Sequence, residues 1–208
     1  MNKQTDPKTL RMVQTAVLTA IIILMAFTPL GYLRVGPLEI TFLTIPVVVG
    51  AILISPKHGA FLGGIFGLTS FILFFSNPLG VAFLAISPVL SFILAMAPRI
   101  IMGYAVGIIF RVLSSRDRTR LLSFTAAALS GAVLNTILFV GAMILFFGSS
   151  EVLRSFGDSI IAIIGVLVTV NAAVEAVVAM IAGTAITKAL AKSFSKTAAD
   201  TTTKKALS

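Results

Sequence analysis

"SFILAMAPRIIMGYAVGIIFRVL", residues 91–113, decides the fold. It is long enough to cross a bilayer, since about 20 predominantly apolar residues span a hydrocarbon core of about 30 Å. One guanidinium, Arg99, stands well inside it, directly after Pro98. A charge at that depth costs a few kcal/mol even on a lenient insertion scale, so it faces a cavity or a partner. The run therefore reads as a membrane helix built around a polar feature.

The rest of the chain agrees. Of 208 residues, 58% are hydrophobic and 11% charged, and mean hydropathy is +1.09. Soluble domains carry about 25% charged residues. Six apolar segments stand out: 10–32, 41–55, 59–75, 91–113, 121–147 and 160–190. The second is short for a span and reads as a half-helix or a tilted helix packed inside protein. Residues 76–90, "SNPLGVAFLAISPVL", are interrupted by Pro78, Gly80 and Pro88 and read as a re-entrant or lid-like loop. The expected architecture is an all-α integral membrane protein of six transmembrane helices. Residues 1–192 form one membrane domain and residues 193–208 a disordered, Thr-, Ala- and Lys-rich cytoplasmic tail.

The net charge of +9 suggests nucleic acid at first sight. Topology accounts for it better. Thirteen of the sixteen basic residues fall on one side of the six segments: before the first, between the second and third, around the fourth-to-fifth loop, and after the sixth. Arg34 and Arg154 fall on the other side, and Arg99 lies between. The positive-inside rule then places both termini in the cytoplasm. The polar start, "MNKQTDPKTLRM", reads as retained rather than as a cleaved signal. No nucleic-acid partner is expected; the bilayer is.

Several chemistries are excluded. Cysteine is absent, which removes disulfides, thiol chemistry and cysteine metal sites. His58, the single histidine, sits beside Lys57 at a cytoplasmic turn and reads as a solvated loop residue. One histidine cannot build an intramembrane zinc protease, and it lies at the wrong level for a serine–histidine dyad. No G-x-x-x-x-G-K-[ST] motif occurs, so any ATP-driven step belongs to another chain. No catalytic residue, metal or cofactor is assigned.

The intramembrane polar residues converge instead. At about 1.5 Å per helical residue, Arg99 lies roughly 18 Å from the level of Arg111, and Ser70 and Glu175 roughly 20 Å from Lys57 and Lys188. On the same basis, Asn135 lies roughly 22 Å from Arg120 and Asn171 roughly 25 Å from Lys188. Five polar side chains on four helices thus reach one depth, and Asn171 and Glu175, four apart, share a helix face. Arg99 presents a fork of donors suited to a carboxylate. Pro98 marks a break or helix start that would add a helix dipole. Two readings stand side by side: a site for an anionic ligand, and a structural Arg99–Glu175 ion bridge. Asn135 suits ligand binding or interhelical bonding equally, and Ser70 can bond its own backbone.

Small residues repeat at helical spacing. Ala16 and Ala20 form a small-xxx-small pair on the first helix; Gly59, Gly63 and Gly67 form a ladder on the third, repeated by Gly103 and Gly107 on the fourth. Close internal packing is the expected use of the glycines.

"ITFLTIPVVVGAILISPKHGAFLGGIFGLTSFI", "APRIIMGYAVG" and "VNAAVEAVVA" together resemble the substrate-specificity (S) components of energy-coupling factor (ECF) vitamin transporters, over residues 10–190. The resemblance implies a six-helix vitamin-binding subunit of a prokaryotic plasma membrane. It implies partners too: a transmembrane coupling (T) subunit, docked on Ala16 and Ala20, and two cytoplasmic ATPases that carry ATP and Mg. The chain is most similar to pantothenate-type components, and the Pro-Arg arginine and the fifth-helix asparagine carry over as vitamin ligands to Arg99 and Asn135. Asn171, Glu175 and Ser70 complete the expected site. The chain departs from the pattern at Thr44, where many such components have His, which keeps cobalamin and riboflavin open as alternatives. A standalone secondary transporter protonated at Glu175 and a non-transporting scaffold are the rivals of other classes.

Overall fold

The computed structural model describes residues 6–35, 38–115, 117, 121–155 and 176–189. Asn171, Glu175 and the tail 193–208 lie outside them. Within them the chain forms α1 (Pro7–Ala26), a hairpin of β1 (Tyr32–Val35) and β2 (Leu38–Thr41), α2 (Thr44–Leu53), α3 (Pro56–Phe74), α4 (Pro78–Ile86), α5 (Pro88–Ser114), α6 (Leu121–Phe147) and α7 (Glu151–Arg154). A last helix, α8 (Ala176–Ala189), contains a π-helical stretch over Ala179–Gly183.

Among the described residues four helices are long and apolar enough to cross a membrane: α1, α3, α5 and α6. α2 and α8 are shorter apolar helices. At about 1.5 Å per residue, ten-residue α2 reaches only half of the hydrocarbon core. It compensates by lying inside protein: Thr44 and every residue from Pro46 to Ile52 are buried. The expectation of a short internal helix holds.

Four helix starts share one device. Asp6, Ser55, Asn77 and Ser87 each stand at an N-cap, accept a backbone N–H in the first turn, and are followed by proline. A capping side chain satisfies an orphan donor, and proline at the first helical position has no N–H to orphan. This corrects the reading of residues 76–90 as a loop. Pro78 and Pro88 do not interrupt structure there; they begin α4 and α5. Gly80 permits the tight corner, because a Cβ on it would meet the Phe74 backbone.

Two further expectations need correction. α1 stops at Ala26 rather than Tyr32, because Pro29 cannot continue a helix. The chain then turns through Gly31, where a Cβ would strike the Met25 carbonyl. A short hairpin follows within the otherwise helical fold. β1 and β2 pair antiparallel, with Tyr32 opposite Thr41 and Arg34 opposite Glu39. Nor does a helix begin at Arg99: α5 runs unbroken through Pro98.

The glycine ladders pack α3 against α5 in antiparallel register. A Cβ on Gly59 would meet the Gly103 carbonyl, one on Gly63 the Arg99 carbonyl, and one on Gly67 the Ala95 carbonyl. Backbones this close allow tight van der Waals packing without a hydrophobic drive, which lipid does not supply. The core divides in two. One cluster joins α1, α2, α3, α5 and α6 around Ile22, Val47, Phe66, Met102 and Phe124. The other joins α4, α5, α6 and α7 around Phe83, Leu94, Met143, Phe147 and Leu153.

Candidate substrate-binding site

Arg99 lies at the seam between the two clusters. Its residue is only 7% exposed, so the guanidinium does not face lipid. On one side is Phe66 of the first cluster, its ring centroid 5.4 Å from Cζ. On the other is Phe139, packed against the second cluster, at 4.2 Å. Both distances fall within cation–π range, about 6 Å.

Pro98 has a specific effect here. In a regular helix the N–H of residue 98 would bond the Leu94 carbonyl; proline has no N–H. The Arg99 guanidinium donates to that carbonyl instead, at 2.9 Å from Nη1. The Pro-Arg pair thus frees an acceptor in the helix and uses it to hold the side chain that follows. One of five guanidinium donors is spent on this tether.

The polar residues expected to converge lie one turn from the two rings. Asn135 precedes Phe139 by four on α6 and is buried. Ser70 follows Phe66 by four on α3 and is buried. Residues four apart share a helix face, so Ser70 and Asn135 lie on the faces of α3 and α6 that carry Phe66 and Phe139. Ser70 Oγ is 3.2 Å from the Tyr32 hydroxyl, which ties α3 to the start of the hairpin. Asn171 and Glu175 lie outside the described residues, and with them the Arg99–Glu175 pair.

Phe66, Phe139 and Tyr32 were missed by sequence reading. For Phe66 and Phe139 the available signal was spacing, four positions from Ser70 and Asn135 respectively; no such spacing marks Tyr32. Buried hydroxyls add to the polar content of the interior. Thr44 is 1% exposed and its Oγ1 meets no protein hydrogen-bond partner among the described residues.

Away from this region, Ala16 and Ala20 are exposed on α1 with Val13, Val17 and Leu24. His58 is in the first turn of α3 rather than in a loop, with Nδ1 2.6 Å from Ser55 Oγ.

Comparison with known proteins supplies the family. Residues 10–186 match the family described as "ECF transporter, substrate-specific component". The chain is 31% identical over 166 residues to the Pantothenic acid transporter PanT of Lactococcus lactis subsp. cremoris, covering 75% of this chain and 80% of that one. It is 34% identical over 109 residues to the Pantothenate transporter PanT of Leuconostoc mesenteroides subsp. mesenteroides, covering 50% and 52%. With an apolar bundle of membrane-length helices, a buried guanidinium and this match over most of its length, the chain belongs to the family of substrate-specific components of ECF transporters.

Proposed function

We propose that this chain captures pantothenate at the outer face of a prokaryotic plasma membrane and delivers it to an ATP-driven coupling complex. The observation that carries the reading is the burial of Arg99 between Phe66 and Phe139 in an otherwise apolar bundle. Low local dielectric strengthens its attraction for a carboxylate, and the guanidinium fork matches carboxylate geometry. Pantothenate adds two hydroxyls and an amide to its carboxylate. Asn135, Ser70 and Tyr32 offer complementary groups on three elements, with Asn171 and Glu175 as further contacts. Both named relatives are pantothenate transporters.

In this proposal the chain crosses the membrane six times, with α2 and α8 as the short members and both termini cytoplasmic. The hairpin and α4 close over the vitamin. The exposed Ala16 and Ala20 of α1 receive the T subunit, and two partner ATPases supply ATP hydrolysis with Mg. Isothermal calorimetry of the purified chain tests the reading: pantothenate binds tightly, and a panel with riboflavin and cobalamin does not compete. Preference for another vitamin would refute the assignment.

A further inference from the structure

A groove of about 530 Å³ opens between the starts of α1 and α3. Its volume lies within the about 300–1,000 Å³ of small-ligand clefts. Lys8 and Arg11 line it from α1, and Lys57 and His58 from α3. Among the described residues none that lines it is a carboxylate; Asp6 is engaged in capping α1 through the Lys8 N–H. Deeper in, the lining adds Met12 and Phe61, 67% and 54% exposed, beside Thr15, whose hydroxyl donates to the Arg11 carbonyl. Met12 lies one turn beyond Lys8, and Phe61 one turn beyond Lys57, about 6 Å further along each helix. Both helices are membrane-length and both begin here, so the cations stand at the membrane boundary and the apolar pair just within it.

We propose that this groove binds the headgroup of an anionic phospholipid of the cytoplasmic leaflet. Lys8, Arg11 and Lys57 take the phosphate, and Met12 and Phe61 receive the first part of an acyl chain. Three cations without a carboxylate supply the charge complementarity. Exposed apolar residues one turn deeper favour a lipid over a soluble acidic segment, which has no acyl chain to place there. The inference rests on the proposed cytoplasmic N-terminus, but not on the identity of the vitamin.

Native mass spectrometry of the detergent-purified full chain, offered equal phosphatidylglycerol and phosphatidylcholine, tests it. Phosphatidylglycerol should be retained preferentially. The triple variant Lys8→Gln, Arg11→Gln, Lys57→Gln should lose at least about fivefold of that preference, and Arg11→Gln alone part of it, while Arg111→Gln, Lys188→Gln keeps it. Calorimetry should find vitamin binding unchanged in the triple variant, which separates this site from the vitamin site. Equal retention of the two lipids, or full preference in the triple variant, overturns the proposal. Displacement of the lipid by millimolar inorganic phosphate would reveal a simple anion site, and displacement by a poly-glutamate peptide a protein-docking site; either result also overturns it.

Discussion

The Arg99 guanidinium is tethered to the Leu94 carbonyl, 2.9 Å from Nη1, five residues back on the same helix. The tether exists because Pro98 cannot claim that carbonyl. Proline in a helix interior costs about 3 kcal/mol against alanine. Here the cost is coupled to placing a charge. In Pro98→Ala the restored N–H competes for Leu94, so the chain should melt at a higher temperature yet bind pantothenate about tenfold more weakly, the equivalent of about 1.4 kcal/mol. Thermal denaturation in detergent and calorimetry on one sample check both signs.

The α3–α5 contact sets the height of Arg99. A Cβ on Gly63 would meet the Arg99 carbonyl, and backbone cannot yield as a side chain does. Gly63→Ala should destabilise by about 1–3 kcal/mol, as overpacking does. Gly141→Ala is the control, because nothing lies within 4 Å of its Cβ position. Removing a helix glycine there should be neutral or stabilising by up to about 1 kcal/mol. Melting temperatures of the two variants should move in opposite directions or differ clearly.

The Tyr32–Ser70 hydroxyl contact joins the hairpin to α3. Tyr32→Phe and Ser70→Ala should each speed vitamin release several-fold, matching a hydrogen bond worth about 0.5–1.5 kcal/mol. The double variant should be no worse than either single one, the sign of a shared interaction. Stopped-flow dissociation measures all three.

Ala16 and Ala20 are exposed on α1. Replacing both with leucine should leave pantothenate affinity within about twofold of the parent, consistent with surface changes worth about 0.5 kcal/mol or less. The same variant should fail to co-purify with the T subunit, because bulky residues keep helices apart. Pull-down with tagged coupling complex reads the loss.

Much of this molecule is legible in its amino acids. The segment 121–147 coincides with α6. The glycine ladder is a packing seam, and the single internal arginine is buried beside aromatic rings. These features follow from helical period and the cost of charge in lipid. Residues 76–90 misled because proline was taken as a breaker, when Asn77 and Ser87 before each one mark it as a helix start. The hairpin after α1 was hidden because "YLRV" and "LEIT" are too short to show a period of their own. Pro98 was misread for the opposite reason: a helix tolerates it when a neighbouring side chain takes over the orphaned carbonyl.

The central claim is that Arg99 holds the carboxylate of the incoming vitamin. Calorimetry with pantothenate and with panthenol, in which an alcohol replaces the carboxylate, tests it most directly. The parent chain should prefer pantothenate by about 100-fold, the work of one or two charge-assisted hydrogen bonds at about 1.5–3 kcal/mol each. Arg99→Ala should bind both compounds weakly and about equally. A variant lacking the guanidinium that still prefers pantothenate as strongly as the parent would contradict the account.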